Sequence, residues 1–167
     1  MTDHMTTQRL ILRMPEQRDA AAIAALVGDL EVSRWLTRVP HPYGLKDAHE
    51  FIARVAVGSG HTFMICVGDQ VVGCIGTQGE LGYWLGKNHW GQGYASEAAR
   101  AMITRHFGYG HNELQSGHFM ENAASRHVLE KLGFVRTSQE QARSPATGDC
   151  HVLQRMVLTQ SRWEAQT

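Results

Sequence analysis

Apolar residues along the chain change from helical spacing to strand spacing at about Thr62. A short β run at residues 10–12 comes first, and after Pro15 apolar residues recur every three or four positions, which predicts helices. These helices are predicted at residues 20–27, 31–36 and 47–57. Beyond Thr62, consecutive apolar residues on both sides of a Gly-Asp turn predict a β-hairpin, followed by one more strand. The three strands are predicted at residues 63–67, 71–76 and 80–85.

The second half of the chain alternates predicted helices and strands. One helix carries small and apolar residues on a single stripe, namely Ala95, Ala98, Ala99, Met102, Ile103 and Phe107. The elements after it are predicted as a strand at residues 113–120, a helix at 123–132, a strand start at 134–135, a polar loop at 138–149 and a final strand at 151–158. This order predicts an α/β (α+β) domain with a mostly antiparallel sheet flanked by helices, and a strand–helix–strand crossover across residues 80–120.

The size and charge of the chain narrow the class of protein. A chain of 167 residues with 43% hydrophobic content is expected to form one domain, residues 1–167, with a sizeable core. Its 16 basic residues balance its 16 acidic residues, so nucleic acid is not expected as a direct partner. The longest apolar run, residues 20–27, is too short to span a bilayer, and no N-terminal signal is evident. We therefore expect a cytoplasmic protein without membrane contact.

The cysteines and histidines do not predict a metal site. Cys66, Cys74 and Cys150 are odd in number and lack paired spacing, so we expect reduced thiols rather than disulfides or zinc ligands. The ten histidines form no His-x-x-x-His pair and do not join the cysteines in ligand spacing. No bound metal is expected.

A glycine-rich stretch at residues 88–97 joins a predicted strand to a predicted helix. Gly91 and Gly93 let the backbone turn tightly and approach a ligand closely, and the helix directs its free N–H groups at the same place, which favours an anion site. An ordinary strand-to-helix connection is the alternative explanation. A dinucleotide fingerprint is disfavoured because Ser96 occupies the third glycine position, and a Walker A loop because no Gly-Lys-Ser/Thr follows.

Three parts of the sequence resemble one enzyme family. Trp90-Gly91-Gln92-Gly93-Tyr94-Ala95 is similar to the Gln/Arg-x-x-Gly-x-Gly/Ala pyrophosphate loop of the GNAT superfamily of acyl-CoA N-acetyltransferases, with Trp90 in the first slot. Residues 121–134 resemble the Asn-x-x-Ala/Ser…Lys-x-Gly-Phe segment of the same family. Residues 7–13 are similar to the opening strand of its ribosomal-protein-alanine acetyltransferase branch, whose tryptophan variant of the loop this chain also resembles.

The resemblance implies a GNAT fold, with strands that splay apart at the coenzyme site, and an N-acetyltransferase that uses acetyl-CoA and no metal. It implies transfer to a primary amine, either a protein N-terminal α-amine or a small-molecule amine, by direct attack in a ternary complex. The implied coenzyme-binding residues are Trp84, Leu85, Gly86, Trp90, Gly91, Gln92, Gly93, Tyr94, Ala95, Ser96, Asn122 and Arg126. Asn122 is also predicted as the N-cap of its helix. A solvated helix face is the alternative explanation for Arg126.

Two residues are candidates for the chemistry of acyl transfer. Glu80 opens the strand that leads to the glycine motif, where this family often carries the Glu that deprotonates the amine, although a plain strand-end carboxylate explains it as well. Many members place a Tyr at the position that Leu129 holds here. The resemblance therefore leaves Ser125, one turn after Asn122, as the candidate that hydrogen-bonds the leaving thiolate.

The absence of that Tyr leaves a second function open, namely a catalytically silent acyl-CoA-binding sensor or regulatory module. The amine acceptor is the partner expected for an enzyme. A monomer and a homodimer are both compatible with the sequence.

Overall fold

Two antiparallel sheets form the framework of the computed structural model, which describes residues 3–167. The first sheet has five strands in chain order: β1 (His4–Thr6), β2 (Ile11–Arg13), β3 (Thr62–Val67), β4 (Gln70–Gly76) and β5 (Gly82–Leu85). The second sheet has β8 (Cys150–Thr159) between β6 (Glu113–Phe119) and β7 (Val135–Arg143). Neighbouring strands within each sheet run antiparallel.

Helices flank the first sheet on both faces. Between β2 and β3 lie α1 (Ala20–Val27), α2 (Leu30–Ser33) and α3 (Leu45–Ala56), and the later helices are α4 (Tyr94–Gly108), α5 (Ala123–Lys131) and α6 (Gln160–Glu164). Short 3-10 turns occur at Gln17–Asp19 and Lys87–His89. No helix within residues 3–167 has the length and apolarity needed to cross a membrane.

The core has two parts because successive side chains of a strand point to opposite faces. In β3, Phe63 contributes to a cluster with α4, whereas Met64 contributes to a cluster with α1 and α3. Ala98 and Ala99 of α4 are fully buried in the first cluster. Their small side chains let α4 pack close to the sheet, as its apolar stripe predicts.

The predicted α/β class with mostly antiparallel strands is confirmed, and the crossover across residues 80–120 is observed as β5, α4 and β6. Helix α1 has the predicted bounds. The strands form two sheets, however, rather than the single sheet that residues 151–158 were expected to close.

The prediction of a polar loop at residues 138–149 is wrong. Strand β7 continues to Arg143 and pairs with β8, so the loop begins only at Ser144. The side chains of β7 are exposed on both faces, apart from the half-buried Ala142. Because neither face is apolar, the sequence lacks the alternation that marks a strand. Strand β1 and helix α6, which are three and five residues long, were also missed.

Candidate active site

The two sheets touch at one point and then diverge. The N–H of Leu81, just before β5, donates to the Gln115 carbonyl of β6 at 2.8 Å. The Ser116 hydroxyl donates to the Leu81 carbonyl, also at 2.8 Å. Beyond this contact no ladder joins β5 to β6 within residues 3–167. Since both strands continue away from the contact, the gap widens toward their carboxyl ends, which is where ligands bind in α/β structures.

The edge of β5 that faces the gap has free backbone groups. Gly86 donates its N–H to Val72 of β4, and Trp84 lies opposite Cys74. Because backbone groups alternate between the two edges of a strand, those of Tyr83 and Leu85 point into the gap. The Leu85 carbonyl is already bonded by the Trp90 indole N–H at 2.9 Å. Within residues 3–167, the N–H and C=O of Tyr83 and the N–H of Leu85 have no hydrogen-bond partner and can therefore bind a ligand.

This geometry bears on the coenzyme contact predicted at residues 84–86. Both backbone groups of Gly86 are used, since its carbonyl accepts from the His89 N–H. A Cβ at Gly86 would lie 2.5 Å from Leu26 Cδ2, so close packing against α1 explains the glycine. The Trp84 backbone faces β4, and its side chain packs in the cluster of α1 and α3. Of the strand residues 84–86, only Leu85 has backbone groups that point into the gap. The backbone groups of Tyr83, which was not among the predicted residues, also point into the gap.

The glycine motif forms a tight left-handed connection into α4. Gly91 has a φ of +72° and Gly93, the N-cap of α4, a φ of +79°. The first N–H that the helix uses is that of Glu97, which donates to the Gly93 carbonyl. The N–H groups of Tyr94, Ala95 and Ser96 have no helical acceptor and point outward from the helix N-terminus. This end of α4 forms a cradle whose free N–H groups can bind an anion.

The side chains of the glycine motif contribute less to the anion cradle than its backbone N–H groups do. Trp90 is 43% exposed, and its indole holds the end of β5 through the Leu85 carbonyl. Gln92 is exposed and reaches the Asn88 carbonyl at 3.4 Å. The tryptophan that replaces a polar residue in the general pattern thus fixes the strand edge.

Helix α5 begins across the gap from β5. Asn122 is its N-cap, with the side-chain oxygen accepting the Ser125 N–H at 3.1 Å, which confirms the predicted capping role. The Ser125 hydroxyl is hydrogen-bonded to the Tyr83 hydroxyl at 3.0 Å. Arg126 is half-buried in the same turn, and its guanidinium forms no hydrogen bond within residues 3–167. Leu129, at the family's Tyr position, is fully buried in the core.

Tyr83 is the site residue that sequence reasoning missed. Leu81, Tyr83 and Leu85 all contact the cluster of α4 and α5, whereas Trp84 contacts the other cluster. The strand alternation of residues 80–85 could have placed Tyr83 on the side of α5, but no local signal pairs it with Ser125. Burial raises the pKa of Tyr83 to about 12, against the opposing effect of the hydrogen bond with Ser125. The phenol therefore keeps its proton at neutral pH.

Glu80 lies two residues before β5, in an ion pair. Its Oε2 accepts from Arg155 Nη2 of β8 at 2.5 Å, and the two side chains are 32% and 19% exposed. This pair bridges the two sheets beside their point of contact. Glu80 Oε1 has no partner within residues 3–167, so one carboxylate oxygen remains to accept a proton.

Metal ligands do not converge within the described part of the chain. No group of three or more His, Cys, Asp or Glu side chains there could hold an ion. Cys66 and Cys74 are buried free thiols, and Cys150 is an exposed one.

The sequence and the fold of this chain both match known proteins. Residues 9–135 match the family model of the acetyltransferase (GNAT) domain. This chain belongs to the GNAT acetyltransferases. Among GNAT relatives, the uncharacterised N-acetyltransferase p20 of Bacillus licheniformis is 32% identical over 145 residues, covering 78% of this chain and 81% of the relative. YkkB of Bacillus subtilis (strain 168) is 30% identical over 147 residues, covering 77% and 83%.

Solved GNAT structures share the fold. RimJ of Mycobacterium smegmatis, in complex with a CoA-disulfide, aligns with a TM-score of 0.80 at 22% identity over 96% of this chain and 88% of that chain. RimL, a ribosomal alpha-N-protein acetyltransferase in complex with coenzyme A, aligns with a TM-score of 0.82 at 17% identity over 94% and 98%. As a GNAT protein, the chain is an acyltransferase that uses acetyl-CoA.

Proposed function

We propose that this GNAT enzyme transfers an acetyl group from acetyl-CoA to a primary amine, a protein N-terminal α-amine or a small-molecule amine, by direct attack in a ternary complex. The observation that carries the proposal is the Tyr83–Ser125 hydrogen bond, which joins two hydroxyl groups between β5 and α5. A fold that only bound the coenzyme would need the cradle but not this pair.

The coenzyme is proposed to run from the cradle into the gap. Its pyrophosphate takes the N–H groups at the start of α4, and its pantetheine arm pairs with the free edge of β5 at Tyr83 and Leu85. The thioester then reaches Ser125. The residues proposed to bind the coenzyme are Tyr83, Leu85, Gly91, Gln92, Gly93, Tyr94, Ala95, Ser96, Asn122 and Arg126.

Glu80 and Ser125 act in different steps of the reaction. Glu80 accepts a proton from the ammonium form of the acceptor, directly or through water, and the resulting neutral amine attacks the thioester carbonyl carbon. The proton left on the attacking nitrogen passes to solvent. The tetrahedral intermediate then expels the thiolate as the C–S bond breaks. A thiolate whose conjugate thiol has a pKa of about 8.5 is too weak a base to deprotonate a phenol whose pKa is about 12. Ser125, oriented by Tyr83, therefore stabilises the thiolate by hydrogen bonding, and solvent supplies the proton of the free thiol.

A catalytically silent sensor is the second candidate, and the Glu80–Arg155 ion pair favours it because half of the proposed base is already engaged. The deciding experiment measures thiol release from acetyl-CoA with a panel of amines, alongside calorimetric titration of coenzyme A. The panel includes N-terminal peptides, because RimL is named as a ribosomal alpha-N-protein acetyltransferase. We expect binding together with amine-dependent thiol release. Binding without release for any amine would support the sensor instead.

Ser125→Ala is expected to lower kcat by about 10- to 100-fold, since a hydrogen bond to a charged group contributes about 1.5–3 kcal/mol. Tyr83→Phe should lower kcat less, because the serine hydroxyl remains but loses its orientation. The double variant should be no slower than Ser125→Ala, since Tyr83 acts through Ser125. Steady-state kinetics with saturating acetyl-CoA check this, with the exposed Tyr109→Phe as the matched control.

The raised pKa of Tyr83 allows a second test with the same variants, namely the dependence of kcat on pH. Because the phenol keeps its proton up to about pH 12, wild-type kcat should show no decline from Tyr83 between about pH 8 and 10. Additive losses in the double variant, or an alkaline decline that Tyr83→Phe removes, would contradict the assigned roles.

A further inference from the structure

Arg9, from the N-terminal segment, bonds to both Glu97 of α4 and the Gln92 carbonyl of the loop, and these contacts form a clasp at the anion cradle. Arg9 Nε donates to Glu97 Oε2 at 2.7 Å, and the Arg9 backbone N–H donates to Glu97 Oε1 at 2.8 Å. Arg9 Nη1 donates to the Gln92 carbonyl at 2.8 Å. The guanidinium lies 4.8 Å from the centre of the Tyr94 ring. Arg9 thus joins the loop and the first turn of α4 to the bend before β2.

The carboxylate partner of this clasp is held firmly as an anion. Glu97 Oε1 also accepts the Thr7 hydroxyl at 2.6 Å. Burial acts to raise the pKa of Glu97, but the hydrogen bonds from Thr7 and Arg9 outweigh it and keep the pKa below its ordinary value. Glu97 is therefore ionised at neutral pH, and its carboxylate fixes the orientation of the Arg9 guanidinium.

The part of Arg9 that the clasp does not use faces the cradle. Nη2 forms no hydrogen bond within residues 3–167, and a Cβ built at Gly93 would lie 3.3 Å from it. The Arg9 side chain is still 45% exposed, so a ligand can reach it. A guanidinium has five N–H donors in a fixed plane, and it can hold a carbonyl and an anion at the same time.

We propose that Arg9 is a coenzyme-binding residue, which positions the loop through the Gln92 carbonyl and offers Nη2 to the pyrophosphate. The sequence motifs place phosphate recognition in residues 90–96 and 126, and Arg9 lies more than 80 positions away from the first of these. This inference rests on the proposed path of the coenzyme, because it needs the pyrophosphate to occupy the cradle.

The test compares ligands that differ in the group Arg9 would contact. Coenzyme A and 3′-dephospho-coenzyme A contain the pyrophosphate, and pantetheine does not. For Arg9→Gln we expect the Kd of the first two ligands to rise by the same factor, about 10- to 100-fold. The loss in kcat/KM should be larger for acetyl-CoA than for S-acetylpantetheine, which lacks the pyrophosphate. Arg9→Lys should lose at least about fivefold in affinity, because an ammonium lacks the planar fork.

Two controls separate this proposal from its alternatives. Arg18→Gln makes the same charge change on a side chain that is 72% exposed and pairs with Glu16, so the Kd should stay at the wild-type value. An equal loss for coenzyme A and S-acetylpantetheine in both Arg9 variants would show a purely structural role and overturn the proposal, as would an unchanged Kd. If the wild-type protein bound pantetheine as tightly as coenzyme A, the cradle itself would fail as the pyrophosphate site.

Discussion

Gly93→Val is expected to abolish measurable binding of coenzyme A. Gly93 has a φ of +79°, which a β-branched residue rarely adopts, and its position at the N-cap of α4 leaves no room for a side chain beside a bound anion. A Cβ there would also press on Arg9 Nη2 at 3.3 Å. Losing two or more hydrogen bonds to a charged group corresponds to at least about 100-fold in Kd. Calorimetric titration measures this directly.

The matched control for Gly93→Val is Gly110→Val. Gly110 follows the other end of α4 and has a φ of +86°, and a Cβ added there would meet no atom of a more distant residue within 4 Å. Both variants carry similar backbone strain, which is expected to lower thermal stability by similar amounts. Only Gly93→Val should lose affinity. If both variants bound coenzyme A like the wild-type protein, the pyrophosphate would have to bind elsewhere.

Glu80→Gln is expected to lower kcat by about 10²–10⁴-fold at neutral pH, while the affinity for coenzyme A stays nearly unchanged. Glutamine preserves the shape of the side chain but cannot accept the amine proton. As the pH rises, the acceptor amine loses its own proton to bulk solvent and needs the base less. Part of the lost rate should therefore return at alkaline pH. The return should come near pH 8 for an α-amine and near pH 10 for a lysine-like amine, following their ordinary pKa values of about 8 and 10.4.

Arg155→Gln distinguishes a base from a structural ion pair. If the Glu80–Arg155 contact only ties the sheets together, the two variants should destabilise the protein equally and leave kcat unchanged. If Glu80 is the base, Arg155→Gln should keep most of the activity that Glu80→Gln loses. Activity at the wild-type level for Glu80→Gln across the pH range would remove Glu80 from the mechanism. Thermal melts and pH–rate profiles of both variants provide the comparison.

Features that depend on near neighbours in the chain could be predicted from the sequence. The glycines at 91 and 93 predict a tight turn, and Asn122 predicts a helix cap, because each effect arises within one turn of backbone. The apolar stripe of α4 likewise predicts its buried face. The fold class follows from the order of such local elements.

Only the tertiary structure decided which distant side chains meet. Tyr83 contacts Ser125 from 42 positions away, Glu80 contacts Arg155 from 75, and Arg9 contacts Glu97 from 88. No local pattern encodes these pairs, because they depend on the point at which the two sheets separate. Most of strand β7 was missed for a similar reason. Its pairing with β8 stabilises it, but both of its faces are exposed, so its sequence lacks the alternation of apolar residues that predicts a strand. The sequence therefore determined the glycine turn into α4, and packing determined which distant side chains meet.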